Sequence, residues 1–135
     1  MHKYTVEFRI YGKTLKPSDI TEDLGLKPSL VREVGDKVSK TRSVKEAMWS
    51  YNGYQEDSAK EWDSLEKGLA FLLKKLWPVK DKIERYNLKY NLIWWCGHFQ
   101  SSFDGGPTLS PSILKLLGEF GVELFIDNYF NNEGI

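Results

Sequence analysis

The chain has few of the residues that signal a metal site, a disulfide framework or a membrane segment. It contains one cysteine and two histidines in 135 residues, and its 19 basic and 19 acidic residues leave no formal net charge. A single cysteine cannot form an internal disulfide, and zero net charge gives no long-range attraction to nucleic acid or to an anionic membrane. No apolar run approaches the roughly 20 residues that span a bilayer, and no apolar signal region precedes the first strand pattern. We therefore expect a cytoplasmic protein that does not bind membranes.

A short motif occurs twice, near the start and near the end of the chain. Thr14-Leu15-Lys16-Pro17-Ser18 returns as Thr108-Leu109-Ser110-Pro111-Ser112, and each copy follows a strand pattern. Proline in the first turn of a helix has no backbone N–H to satisfy, so both copies predict helix starts. With 41% hydrophobic and 28% charged residues, the composition is typical of one globular domain. We predict a single domain, 1–135, with a pseudo-repeat over about residues 3–53 and 89–130.

The two halves are linked by the clearest helix pattern, over about residues 59–86. Ser58 and Glu61 have the spacing of a capping box, and leucines follow at three- and four-residue steps. Pro78 must end or kink this helix, because an interior proline removes a hydrogen bond and clashes with the preceding turn.

The remaining patterns predict strands. Residues 4–10 alternate between apolar and polar, residues 47–51 form a short apolar segment, and residues 92–96 form an unbroken apolar run that predicts a central strand covered on both faces. Val122, Leu124 and Ile126 alternate in the last strand. The sequence therefore predicts an α+β fold of two βαβ units joined by a long helix. Its four-stranded sheet with helices packed on it would be a variant of the ferredoxin-like fold.

The segment from Pro28 to Lys45 is the least patterned part of the chain and carries more basic than acidic residues. We predict a long basic loop; such loops are often functional, and a solvated flexible connection is the simpler interpretation. Trp49 and Tyr51 follow it, and aromatic residues beside lysine and arginine can receive an acidic protein surface or stack on single-stranded bases. The candidate binding residues are Arg32, Lys37, Arg42, Trp49, Tyr51 and His98.

Cys96 and His98 lie on the same face of the predicted central strand, which permits a contact between thiol and imidazole. Two such residues do not make a zinc site, and the chain has no other cysteine. The sequence has no nucleophile elbow, P-loop or dinucleotide fingerprint, and its carboxylates are scattered. We therefore predict no metal, no cofactor and no catalytic residues, and a His98 that is partly buried with its hydrogen bonds satisfied.

Several stretches give the chain a family resemblance. They are Phe8-Arg9-Ile10-Tyr11-Gly12, Pro17-Ser18-Asp19-Ile20-Thr21 with Leu24-Gly25-Leu26-Lys27-Pro28-Ser29, then Gly35-Asp36, Trp49, and Leu124-Phe125-Ile126-Asp127-Asn128-Tyr129. Over nearly its whole length the chain resembles a bacterial family of domains of unknown function, DUF 4279. The resemblance implies a bacterial cytoplasmic protein of about this size, and it supplies no catalytic residues. Some relatives in this family are encoded beside polymorphic toxins, and this association implies an immunity role.

These observations leave two functional hypotheses. The first is a non-catalytic protein-binding domain, an immunity protein that occludes a partner toxin with the basic loop, the Trp49 strand and the exposed end of the sheet. The second is a domain that binds a small ligand or nucleic acid, with Trp49, Trp95 and His98 in a pocket. Zero net charge makes nucleic acid the less favoured partner. Neither hypothesis specifies an oligomeric state.

Overall fold

The computed structural model describes residues 1–54 and 60–131, whose strands form one mixed sheet. In chain order the elements are β1 (His2–Gly12), α1 (Pro17–Leu24), β2 (Leu30–Arg32), β3 (Ala47–Tyr51), α2 (Leu65–Leu76), a 3₁₀ turn (Trp77–Val79), α3 (Lys80–Asn87), β4 (Asn91–Gln100), α4 (Pro111–Phe120) and β5 (Glu123–Phe130). In this described part the sheet has five strands in the order β2-β3-β1-β4-β5.

The central strand of the sheet is β1, which pairs antiparallel with both β3 and β4. At the edges, β2 pairs antiparallel with β3, and β5 pairs parallel with β4. It follows that β2 runs parallel to β1, with β3 inserted between them. Each half therefore contains a crossover between parallel strands, β1-α1-β2 and β4-α4-β5, but only the second crossover joins neighbouring strands.

The α+β class is confirmed, whereas the four-stranded, ferredoxin-like sheet is corrected. The additional strand, β2, lies inside the segment that we expected to be an unstructured basic loop. Its three residues are too few to show a periodic pattern, so sequence reasoning had no signal for it. The strand expected to complete a parallel unit with β1 is β3, and it is antiparallel to β1 because the chain leaves α1 into β2 and then reverses.

The strand register divides the sheet into two unlike faces. On one side Val6, Phe8 and Ile10 of β1 are buried, and each of the helices α1 to α4 contributes residues to the same core cluster. The expectation that β4 is covered on both faces is therefore corrected, because the helices α1 to α4 pack on one side. We call the other side the open face; by register it carries Glu7, Arg9, Tyr11, Met48, Ser50, Ile93, Trp95, Gly97, Phe99, Phe125 and Tyr129.

Both copies of the repeated motif begin a helix, as predicted. Pro17 and Pro111 occupy the first turns of α1 and α4, and the Ser110 hydroxyl caps α4 by accepting a backbone N–H. Gly25 and Gly121 end these helices in the left-handed conformation, with φ of 66° and 77°. The single domain and the pseudo-repeat themselves stay predictions.

The linking helix starts later than predicted and is interrupted. It begins at Leu65, where Ser64 is the capping residue, so Glu61 precedes the helix and Ser58 lies outside the described residues. Pro78 ends α2 as predicted, and a 3₁₀ turn leads into α3. In the described part of the chain no helix is long and apolar enough to cross a membrane; α2 has 12 residues.

Two glycines provide a matched test of this packing. Gly53 has a φ of 85°, and a Cβ there would lie 2.4 Å from Cε2 of Phe71. We expect Gly53→Ala to lower the free energy of unfolding by about 1–3 kcal/mol, because backbone strain and overpacking add. Around Gly118, on α4, the space for a Cβ is free. Gly118→Ala should therefore raise the free energy of unfolding by about 0.5–1 kcal/mol. Urea denaturation measures both values, and equal stabilities of the two variants would contradict the structure.

Candidate functional site

A partly buried ion pair occupies the centre of the open face. Arg9 Nη2 donates to Glu7 Oε2 at 2.8 Å, and Arg9 Nη1 donates to the Tyr11 hydroxyl at 3.0 Å. The other carboxylate oxygen of Glu7 accepts the Ser50 hydroxyl at 2.8 Å. Burial is the largest single influence and lowers the pKa of Arg9, but the Glu7 carboxylate and the Tyr11 hydroxyl together outweigh burial and raise it. The guanidinium therefore stays charged, and its charge is neutralised within the face.

Aromatic rings of β4 and β5 lie beside this ion pair. The guanidinium carbon of Arg9 lies 4.3 Å from the centroid of the Trp95 ring, which is a cation–π contact. The ring of Tyr129 lies 6.5 Å from that of Trp95 and stacks on Phe99 at 4.9 Å between centroids. Phe99, Phe125 and Tyr129 remain 38%, 48% and 41% exposed. Arginine and large aromatic side chains clustered in this way are the residue types that dominate binding hot spots.

Gly97 lets the aromatic rings close over the sheet. A Cβ at this position would lie 2.6 Å from Thr5 Oγ1 and 2.9 Å from Phe99 Cε2. The rings of Trp95 and Phe99 fill the space that a Cβ at this position would need. Glycine is therefore the residue that fits here. Sequence reasoning missed this surface. The signal that could have found it is the two-residue period that places Trp95, Gly97 and Phe99 on one face.

The basic segment folds back beside the open face instead of forming an unstructured loop. We call residues 33–46 the basic hairpin. Lys37 and Ser43 form an isolated β-bridge, and the Gly35 N–H donates to the Val44 carbonyl at 2.9 Å. The hairpin and Tyr11 line an open groove of about 570 Å³. The groove residues are Tyr11, Val38, Thr41, Arg42, Ser43, Val44, Lys45 and Glu46.

Three of the predicted binding residues lie on or near this side of the molecule. Arg32 of β2 pairs with Met48, so it belongs to the open face at the β2 edge. Arg42 lines the groove, and Lys37 forms the hairpin bridge. Their contribution to binding stays a prediction.

Trp49 and Tyr51, two further predicted binding residues, are instead part of the core. Trp49 is fully buried, and its Nε1 donates to Thr21 Oγ1 on α1 at 3.0 Å. The ring of Tyr51 stacks on Trp49 with 5.8 Å between centroids, and burial raises the pKa of Tyr51. Both side chains lie under α1, away from solvent, so their assignment to a binding surface is corrected.

His98 is buried on the helical side of the sheet, and both of its ring nitrogens have partners. Nε2 lies 2.8 Å from Nδ1 of His2, and Nδ1 lies 2.8 Å from Oδ1 of Asn128. His2 Nε2 donates to the backbone carbonyl of Asp104 at 2.5 Å. The His98 ring also stacks on Tyr4 at 4.7 Å between centroids. His98 is therefore satisfied as expected, and its assignment as a binding residue is corrected because neither nitrogen faces solvent.

Cys96 lies on the same face as His98 and is fully buried. Burial raises the pKa of its thiol to about 12, so the reactive thiolate is scarce at neutral pH. Within residues 1–54 and 60–131, no three histidine, cysteine, aspartate or glutamate side chains are grouped to hold a metal ion. The pocket proposed from Trp49, Trp95 and His98 does not form, because Trp95 lies on the open face and the other two lie on the helical side.

Comparisons with known proteins support one relationship. A family model described as a domain of unknown function, DUF4279, matches residues 2–131 and thus spans every strand and helix of the described structure. It is the family that the sequence motifs suggested. Searches of the curated proteins and of the solved structures found no match.

The burial of Cys96 predicts an unreactive thiol. Because its folded pKa of about 12 lies above the ordinary value of 9.0, the folded state favours the neutral thiol, and this preference costs stability as pH rises above about 9. We expect native protein to resist alkylation by iodoacetamide at mildly alkaline pH and unfolded protein to react fully, as measured by mass spectrometry. A Ser39→Cys variant, with a second thiol on the exposed hairpin, should take up one label when native and two when unfolded. Rapid labelling of the native parent chain would contradict the structure.

Proposed function

The chain belongs to the DUF4279 family, and we propose that it is a non-catalytic protein-binding domain that receives its partner on the open face. One observation carries this proposal: the Glu7–Arg9 ion pair lies beside Trp95, next to the half-exposed aromatic rings of β4 and β5. A surface of this kind is pre-organised, since hydrogen bonds and ring contacts already hold its central side chains in place. Pre-organisation reduces the conformational entropy that this surface itself loses on binding.

The charge arrangement favours a protein over nucleic acid. Nucleic-acid surfaces neutralise phosphates with unpaired basic groups, and the central arginine of the open face is already paired with Glu7. Glu123 and Asp127 add negative charge on β5 at the same side of the sheet. Protein interfaces are enriched in aromatic residues and arginine, and the open face contains both.

We further propose that the partner is a toxin and that the domain acts as an immunity protein in the bacterial cytoplasm. The family resemblance supports this role, and an unpaired buried cysteine is compatible with a reducing compartment. In this proposal the aromatic centre of the open face anchors the toxin, and the basic hairpin beside it extends the contact.

Co-expression with the product of the neighbouring gene tests the proposal. The parent chain should co-purify with that product and protect the cells that express it. A Phe99→Ala, Tyr129→Ala double variant removes two half-exposed rings, and we expect it to bind about 10- to 100-fold more weakly and to lose protection. Binding is measured by titration calorimetry of the purified pair.

The matched control for this experiment is Leu114→Ala. Leu114 is 52% exposed on α4, on the helical side, so its loss should leave the affinity unchanged. Thermal unfolding confirms that each variant folds. The proposal fails if no complex forms and no cell is protected, or if the double variant and the control bind equally well.

The groove beside the basic hairpin favours a second candidate function, the binding of a small anionic ligand. Arg42 and Lys45 could neutralise an anionic group, and Thr41 and Ser43 could donate hydrogen bonds to it. A thermal-shift screen of nucleotides and phosphorylated or carboxylated metabolites tests this function. We expect a stabilising ligand to lose its effect in Arg42→Ala, whereas no shift with any compound would exclude the candidate.

A further inference from the structure

The two edges of the sheet differ in how they resist pairing with another chain. Natural edge strands are kept short, carry charged residues (especially lysine) or proline, contain a bulge or are covered, because their free backbone groups otherwise recruit further strands. At one edge β2 has only three residues, contains Arg32 and follows Pro28 closely. This edge therefore has the usual protection.

The other edge, β5, has fewer of these protective features, and its charged residues are the acidic Glu123 and Asp127. Its eight residues contain no proline, lysine or arginine, and their pairing with β4 runs without a bulge along the whole strand. Among the described residues no further strand lies beside it. Phe125, Tyr129 and Phe130 remain exposed. A long, regular and accessible edge of this kind is a template for an additional strand.

The side chains of β5 indicate what that strand should carry. On the open face β5 presents Glu123, Phe125, Asp127 and Tyr129 in turn, so acidic and aromatic residues alternate. Asp127 accepts a hydrogen bond from the Tyr129 hydroxyl at 2.6 Å. Within the described chain neither Glu123 nor Asp127 forms an ion pair. The edge therefore combines free backbone groups with uncompensated negative charge.

We propose that the partner protein adds an extended segment to β5 and that this segment carries basic side chains at alternate positions. Backbone hydrogen bonds would supply affinity, and lysine or arginine opposite Glu123 and Asp127 would supply specificity. The inference rests on the proposed function, since the added strand belongs to the partner that covers the open face. Phe125 and Tyr129 make the edge continuous with that face.

A second copy of this chain is a less suitable occupant. Two paired β5 strands would bring Glu123 and Asp127 of both copies together with no basic residue on either strand. Like charges on neighbouring strands destabilise their pairing. Charge complementarity therefore favours a basic segment from a different protein.

Short synthetic peptides test the inference directly. The probe is a fluorescein-labelled peptide of about eight residues in which lysine alternates with threonine; its controls carry glutamate in place of lysine or proline at the centre. We expect the lysine peptide to bind, to slow amide hydrogen exchange within residues 123–130, and to exceed both controls by about tenfold or more in affinity. Fluorescence anisotropy measures the affinities.

Two charge-reversal variants identify the carboxylates involved. Glu123→Lys combined with Asp127→Lys should lose affinity for the lysine peptide and prefer the glutamate peptide. Glu22→Lys combined with Glu119→Lys makes the same change of net charge at exposed positions of α1 and α4, and it should bind as the parent chain does. Circular dichroism establishes that both double variants fold.

Four outcomes would overturn the inference. They are the absence of lysine-peptide binding, exchange protection that falls outside β5, equal binding of the proline peptide, and a dimer of this chain that dissociates in the Glu123→Lys, Asp127→Lys variant. The proposed function can survive this failure. If the co-expressed partner still binds that variant but is lost with Phe99→Ala and Tyr129→Ala, the open face binds the partner and β5 does not.

Discussion

The two-residue period of β1 is the constraint on which the rest of the structure depends. Phe8 and Ile10 pack into the core on one side, and Glu7 and Arg9 form the ion pair on the other. Because β1 lies at the centre of the sheet and pairs on both sides, its register also sets the faces of β3 and β4. A slip of one residue would exchange core and surface along the entire strand. The stability of the fold and the composition of the open face therefore have the same origin.

The ion pair of Glu7 and Arg9 lies in the middle of the sheet, where removing charged groups from water costs free energy. Three features reduce this cost. The side chains of Glu7 and Arg9 remain 15% and 19% exposed, and Trp95 stacks on the guanidinium. Glu7 Oε1 also accepts the Ser50 hydroxyl, and Arg9 Nη1 donates to Tyr11. Replacing a buried ion pair by well-packed apolar residues of similar volume is often neutral or stabilising, so stability alone does not explain the pair. In the function that we propose, this arrangement is a pre-organised recognition surface, which an extended partner strand at β5 would enlarge.

The site residues show what local sequence patterns can and cannot predict. Arg32 and Arg42 could be selected because a run of basic residues is visible in any sequence, and they lie on the open side of the sheet. Trp49 could not be assigned to a side because every residue of β3 is buried and the strand shows no alternation. The aromatic residues beside Arg9 were missed for a different reason. The two-residue period places Trp95 and Phe99 on one face of β4, but no local pattern brings that face together with β1 and β5.

The sequence by itself determined the α+β class, the helix starts at Pro17 and Pro111, and the end of α2 before Pro78. These features could be predicted because proline, capping residues and hydrophobic periodicity act within one or two turns of backbone. Only the tertiary structure decided that β2 joins the sheet, that β3 runs antiparallel to β1, and that the helices α1 to α4 all pack on one face. These features depend on pairing between distant segments, such as Val6 opposite Cys96, and many pairings satisfy the same local preferences. The packing of all side chains together selects one of them.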